Sequence, residues 1–185
     1  MSQQSIAPGL LLAMPQLADP NFYRAVVLMI EHTETGSMGV VVNRPMGTTI
    51  GEVMRQLEIG WNGDPEALIF FGGPVEPRSS WLLHDPAGSS EPEGTLQLAP
   101  GLAVSTSPDL LGQLAEHPLE RMRLLLGYAG WGAGQLEREL AEGAWVLAEA
   151  SAELVFATPH EEMWEAALHQ LHIDPTSLFP ASGIH

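Results

Sequence analysis

The sequence predicts an α/β protein of the α+β kind, a mixed β-sheet or small β-barrel flanked by helices. Three observations predict it. Short continuous apolar runs recur at strand length, AVVLMI at 25–30 and ALIFF at 67–71 among them. Hairpin-like pairs dominate the first half, and strand, loop and helix units dominate the second. This irregular alternation does not suit a regular doubly wound fold. With 185 residues and 45% hydrophobic content, the chain reads as one water-soluble domain over 1–185 with a core of its own.

Each element has its own signal. The run at 25–30 carries two β-branched valines, is too short for a helix and ends at Glu31-His32, as a strand buried on both faces would. Met38 to Val42 repeats the pattern across the turn Thr33-Glu34-Thr35-Gly36, which makes 25–43 a β-hairpin. Thr49 and Glu52 form a capping-box pair ahead of Val53, Met54 and Leu57, a short amphipathic helix. The strand at 67–71 stops at Gly72-Gly73-Pro74. Shorter strands are expected at 81–84, 95–98 and 102–105, with a surface loop at 85–93. Ser107-Pro108 supplies an N-cap and first-turn proline before Leu110, Leu111 and Leu114. The strand at 121–126 runs into a glycine-rich loop, 127–134, followed by a helix at 135–141 that Gly143 closes. Strands are expected at 145–147 and 154–156. A last helix opens at Thr158-Pro159 with Glu161 as capping acid and buries Met163, Trp164, Ala167, Leu168 and Leu171.

Composition excludes more than it nominates. Asp plus Glu number 23 against seven cations, every one arginine, for a formal net charge of −16. The absence of lysine removes Schiff-base chemistry and the phosphate-gripping lysine of a Walker loop. With no cysteine there is no thiol catalysis, disulfide or thiolate metal site. An acidic chain with scattered arginines lacks the cations that hold a nucleic-acid backbone. The apolar stretch at 10–14 is too short, and too soon broken by Pro15, for a signal peptide. The expectation is a cytoplasmic protein that touches neither nucleic acid nor membrane directly and needs no cofactor.

Several blocks together resemble the YqgE/AlgH family of bacterial proteins. They are MPQLADPNFYRAVVLMIEHTETGSMGVVVNRP at 14–45, GGPV at 72–75, LLH at 82–84, LAVSTSPDLL at 102–111 and LLGYAGWGAGQLEREL at 125–140, continued by Ala144-Trp145. They follow the family's order over nearly the whole chain. The resemblance implies a cytosolic protein with a barrel-like mixed sheet decorated by helices, and no established reaction. One branch of the family is associated with transcriptional regulation of alginate synthesis. Two departures stand out: Ala133 where the family usually has proline, and His172 where it has glycine.

Two constellations, expected to gather around one common hollow, are candidates for binding a small molecule or anion, or a protein partner. In the first, Gly130, Trp131, Gly132 and Gln135 belong to the glycine segment before a helix, where bare backbone and unpaired amides could meet a ligand; Gly72 and Gly73 are added as a second glycine turn. The structural alternative is a bend that seats Tyr128 and Trp131 in packing. In the second, Asp19, Asn21, Arg24, His32, Asn43 and Arg44 flank the hairpin. A turn at Thr35 places Asp19, Asn21 and Arg24 beside Asn43 and Arg44, with His32 at the other end. Here the structural alternative is an Asx-type turn at Asp19-Pro20-Asn21. Arg121 and Arg123 share a strand face as an anion clamp or as solvated charge. Glu165, His169 and His172 share a helical face, which solvation explains, and no metal site is expected. An enzyme, hydrolase-like and using His32 or His84 as base with backbone amides, is the alternative function; indirect transcriptional regulation is another.

Overall fold

The structure, a computed structural model, describes residues 6–17, 19–86, 94–106 and 108–178, without the side chains of 108–111. Among the described residues, ten strands form one curled mixed sheet: β1 (Gly9–Ala13), β2 (Val26–Thr33), β3 (Gly36–Val41), β4 (Pro45–Thr49), β5 (Leu68–Phe71), β6 (Val75–His84), β7 (Thr95–Ala99), β8 (Leu102–Ser105), β9 (Met122–Gly132) and β10 (Trp145–Ala148). Their order is β10-β1-β2-β3-β9-β6-β8-β7, with β4 paired to β5 and β5 to β9. The β5–β9 pair is parallel and the others are antiparallel. The helices are α1 (Ile50–Gln56), α2 (Pro108–Glu116), α3 (Gln135–Ala141) and α4 (Met163–Gln170). The α+β expectation therefore holds, as a curled sheet rather than a closed barrel.

Alternation along the central strands explains why their sequences are apolar throughout. Leu10 and Leu12, Val26 and Leu28, and Val40 and Val42 pack on one face with Phe70, Leu83, Leu125 and α4. Leu11 and Ala13, Val27 and Met29, and Val41 pack on the other with Trp131, Leu136 and Trp145. A third cluster places Ile50 and Met54 of α1 and Leu114 of α2 on Ile69, Leu82 and Leu124. Both faces of these apolar stretches of β1, β2 and β3 are covered, so they need no polar side.

β9 organises the sheet. On one edge it pairs with β6; on the other it pairs with β5 through Leu125 and Leu126, then with β3 through 129–132. The end of β5 is a wedge between β9 and the chain leaving β3. Gly72 donates to the Leu126 carbonyl (2.7 Å) and accepts from Val41 N–H (2.7 Å), while Phe71 N–H reaches the Arg44 carbonyl (2.7 Å). Backbone meets backbone there, which is why the sequence carries glycines at 72, 73 and 127.

Two strands were not anticipated, β1 over most of the stretch at 10–14 and β4, which carries no apolar run that announces it. Other expectations are corrected. The glycine segment is not a loop, because β9 continues to Gly132. Leu154 to Phe156 is a single π-helical turn, Glu153–Ala157, held as Arg123 donates to the Val155 (3.2 Å) and Phe156 (3.4 Å) carbonyls. The final helix starts later than its cap signal: a 3-10 turn, His160–Glu162, precedes α4, and Thr158 makes no capping box. Ser107, residues 87–93 of the expected loop, and the side chains of Leu110 and Leu111 lie outside the described residues.

At α1 the cap forms as read. Glu52 N–H donates to Thr49 Oγ1 and Thr49 N–H to Glu52 Oε2, each at 3.3 Å. Hydrogen bonds from the Thr48 hydroxyl and the Thr49 amide hold the Glu52 carboxyl below its ordinary pKa. Its contribution is therefore complete above the unfolded-state value and disappears as pH falls through the folded one. Thr49→Ala is expected to cost about 1 kcal/mol in urea unfolding, and Glu52→Gln to flatten this part of the acid limb.

The α4 terminus explains a departure noted in the sequence. His172 has φ of 60°, its N–H bonds the His169 carbonyl and Ile173 N–H bonds that of Leu168, both at 3.0 Å. This is a Schellman closure whose left-handed residue is ordinarily glycine. His172→Gly is expected to raise stability by up to about 1 kcal/mol, measured by the same unfolding curves.

Candidate functional site

The segment joining β1 to β2 is short and polar, and its own chemistry shapes it. Asp19 caps a 3-10 turn, Pro20–Phe22, by accepting from Asn21 N–H (2.9 Å). Arg44, just past β3, donates to the carbonyls of Pro20 (3.2 Å), Asn21 and Tyr23 (2.7 Å). Burial pushes its guanidinium pKa down, partly offset by Asp19. Beside it Asn43 acts as a stretch of backbone: its Oδ1 accepts from Val26 N–H (2.9 Å) and its Nδ2 donates to the Arg24 carbonyl (3.0 Å).

These bonds hold Arg24 in a left-handed conformation, φ 51°, which a residue with a side chain adopts at a cost of roughly 1–2 kcal/mol. The consequence is directional. The guanidinium carbon lies 5.1 Å from the Trp164 ring centroid and 5.4 Å from that of Tyr23, and Nη1 is 3.9 Å from Glu165 Oε1. Trp164 is nearly buried, 3% exposed, and fixed by its indole N–H donating to the Ala13 carbonyl (2.9 Å); Tyr23 is 63% exposed. Strain of this kind persists where surrounding contacts over-determine it, and it clusters at binding sites.

Tyr23, Arg24 and Trp164 line two adjoining chambers. One, of about 270 Å³, is otherwise apolar, with Ala13, Met14, Pro15 and Leu17. The other, of about 160 Å³, adds Asn43, Arg44, His160, Glu161 and Glu165. Together they make a groove between the Asp19–Arg24 segment and α4, apolar at one end and doubly charged at the other.

The sequence-derived candidates divide into separate places. Arg24, Asn43 and Arg44 border this groove, and Asp19 and Asn21 build the turn behind it. Gly130 and Trp131 line a different, open depression of about 430 Å³ at the hairpin tip, with Glu31, Thr33, Met38, Val75 and Tyr128. Trp131 is buried against Phe22 and Trp145 (6.4 and 5.8 Å between centroids). Gln135 Oε1 accepts from Gly132 N–H (3.0 Å), closing the β9–α3 connection on itself. Gly72 and Gly73 sit at the β5–β9 fork. The two constellations therefore do not share one hollow.

His32 is at the far end of the hairpin, bonded through Nδ1 to Ser37 Oγ (2.6 Å) and through Nε2 to Glu137 Oε1 (2.9 Å). Pairing of His32 with Ser37 and of Ser37 with Trp131 puts these side chains on the face that α3 covers. The chain thus ties α3 to the hairpin. His84 is buried on β6 beside Asp85. Arg121 pairs with Glu153 (3.1 Å), and Arg123, its pKa lowered by burial, lies 4.8 Å over Phe70; both are spent on the π-helical turn. α4 ends before His172, so Glu165, His169 and His172 do not share a continuous helical face.

Sequence reading missed Tyr23, His160, Glu161, Trp164 and Glu165 as groove residues. Glu161 looked like a cap, Trp164 like core and Glu165 like solvated charge. The available signal was Trp164-Glu165, a ring at the core boundary beside a carboxylate, but nothing local says which arginine it meets.

Comparisons with known proteins agree with this architecture. The profile of a family described as AlgH-like matches residues 10–176. A protein of Myxococcus xanthus named UPF0301 protein is 46% identical over 183 residues, covering 98% of this chain and 99% of its own. A protein of the same name from Anaeromyxobacter sp. is 42% identical over 186 residues, covering 96% and 94%. Among solved structures, the solution structure of the AlgH protein from Pseudomonas aeruginosa covers both chains fully, with TM-score 0.76 and 38% identity. A crystal structure of a Corynebacterium diphtheriae protein, TM-score 0.70 at 24% identity over 92% of this chain and 89% of its own, shares the fold. Among the described residues, no helix is long and apolar enough to cross a membrane.

Proposed function

Because the chain belongs to the AlgH-like family, whose fold alone assigns no chemistry, we propose from its own geometry a ligand-binding, regulatory protein that receives a small molecule or anion in the Arg24–Trp164 groove. The observation that carries this is Arg24 itself, held in a strained backbone conformation and laid on two rings where an apolar and a charged chamber meet. Ligand pockets commonly begin at about 300 Å³. At 270 and 160 Å³ these chambers suit a guest of few atoms. The protein works in the cytoplasm, contacts neither nucleic acid nor membrane directly, and reaches transcription through a protein partner that senses the occupied groove. Its charge of −16 supports the first of these exclusions.

One observation favours a second reading, a hydrolase with His32 as base: the Ser37–His32–Glu137 chain. Against it, Ser37 is buried on the side that α3 covers. Labelling of Ser37 by a fluorophosphonate would replace the binding reading with this one.

The binding reading is tested by thermal shift with amino acids, short carboxylates, phosphate and nucleotides. A ligand should raise the wild-type Tm and leave Arg24→Ala unmoved. Equal shifts in both proteins, or none from any compound, refute it.

A further inference from the structure

We propose that the open edge of β9 at the hairpin tip docks an extended segment of a basic protein partner, with an arginine or lysine of that segment facing Gly130. This surface lies apart from the groove and does not depend on it. Its geometry follows from strand alternation, in which successive residues turn their N–H and C=O groups to opposite edges. Val41 N–H points away from β2, to the Gly72 carbonyl. Gly39 and Ser37 therefore point the same way, toward Ala129 and Trp131, their partners on β9. Gly130 and Gly132 then turn their backbone groups to the other edge. There β6 accompanies β9 only from Met122 to Tyr128, where Val75 is the last partner. Beyond Val75 no described strand follows, and Gly132 N–H is met instead by the Gln135 side chain. The N–H and C=O of Gly130 and the C=O of Gly132 are left on an exposed edge, beside the depression of about 430 Å³.

Exposed strand edges invite pairing, and proteins usually blunt them with lysine, proline or an inward charge. Glycines at 130 and 132 blunt nothing. A segment laid antiparallel to β9, in line with β6, exchanges two main-chain bonds with Gly130 and adds a third at the Gly132 carbonyl. Its side chains are specified by the floor. Cross-strand neighbours share a face, and one row of this face runs Glu31, Met38, Gly130. Because Gly130 has no side chain, a long one on the docked residue lies across it onto Met38, and its charged end is carried toward the Glu31 carboxylate. Glu31 lines the depression, and no cation does among the described residues. The net charge of −16 attracts the same kind of partner and opposes a second copy of this chain.

The probe is the capped peptide Thr-Val-Thr-Val-Arg, which ends on arginine because Val75 holds the next place, titrated into the ¹⁵N-labelled full chain. The Met38, Tyr128 and Gly130 amides should shift in a saturable way. Methylating the arginine N–H, which donates to the Gly130 carbonyl, should abolish the shifts. Glutamate in place of the arginine, or Glu31→Gln in the protein, should weaken binding roughly threefold or more, the effect of an exposed ion pair. In the free protein the Gly130 amide should exchange with deuterium much faster than those of Ala129 and Trp131. The proposal is overturned if the glutamate peptide binds as well, if binding survives N-methylation, or if the arginine peptide leaves Gly130 unmoved. Protection of Gly130 equal to that of Trp131 in the free chain overturns it by showing the edge already filled. A Gly130 shift that follows protein concentration alone does so by assigning the edge to a second copy.

Discussion

Gly73→Ala is expected to leave the chain without its native sheet. A Cβ at this position would lie 2.1 Å from the Tyr128 carbonyl carbon, 2.2 Å from its oxygen and 2.5 Å from the Ala129 nitrogen. All three are backbone atoms of β9, the strand that joins β3, β5 and β6, so relief requires moving the fork rather than a side chain. Overpacking relieved by side chains costs about 1–3 kcal/mol. Here the expected loss exceeds about 4 kcal/mol, a large part of the 5–15 kcal/mol that usually separates folded from unfolded chains. The matched control is Gly130→Ala in the same strand, where a Cβ meets nothing closer than Tyr128 at 3.8 Å and Val75 at 3.9 Å. It should stay within about 0.5 kcal/mol of wild type. Urea unfolding followed by circular dichroism distinguishes the two, and similar curves for both variants would mean that the fork does not hold the sheet.

Trp164→Ala is expected to cost about 3–5 kcal/mol, the usual loss for a buried large ring. The indole is 3% exposed, packs in the core with Leu12, Val26 and Leu168, and bonds the Ala13 carbonyl. Trp164→Phe keeps much of the apolar volume but strands that carbonyl, and should cost about 1–3 kcal/mol. The same ring supports the Arg24 guanidinium, so binding in the groove should weaken in the phenylalanine variant even where it remains folded. A Trp164→Phe protein with wild-type stability would show that the Ala13 hydrogen bond contributes little.

Much of the fold was legible because local chemistry and final environment coincide. The strands β2, β3 and β5, the Thr49–Glu52 cap and the Gly143 closure of α3 are decided by residues a few positions apart. What was not legible depends on distant partners. Glycines 127, 130 and 132 look alike in sequence, yet only Gly127 lies against another backbone, with its Cβ position 2.2 Å from the Gly73 oxygen. A run rich in glycine therefore read as a loop where the structure has its longest strand. Leu154 to Phe156 looks like a strand because its apolar residues are buried; Arg123, 32 residues away from Val155, binds its carbonyls and turns it. The site divides in the same way. Asp19, Asn21, Arg24, Asn43 and Arg44 were brought together by reasoning about one hairpin. The far wall on α4 could not be, since Trp164 touches the Ala13 carbonyl across 151 residues. Gly130 and Trp131, expected around the same hollow on the strength of bare backbone and helix amides, line a separate depression at the hairpin tip, while Gln135 closes the β9–α3 connection.

The central claim is that the Arg24–Trp164 groove receives a small ligand. The most direct measurement is an NMR titration of ¹⁵N-labelled protein with phenylalanine, 3-phenylpropionate and inorganic phosphate, following the Trp164 indole and Arg24 guanidinium N–H signals. At least one compound should shift both in a saturable way, together with the Tyr23 and Glu165 amides, while the Thr33, Gly130 and Tyr128 amides stay in place. Saturable shifts confined to Thr33, Gly130 and Tyr128, or no saturable shift of Arg24 and Trp164 with any of the three, would contradict it.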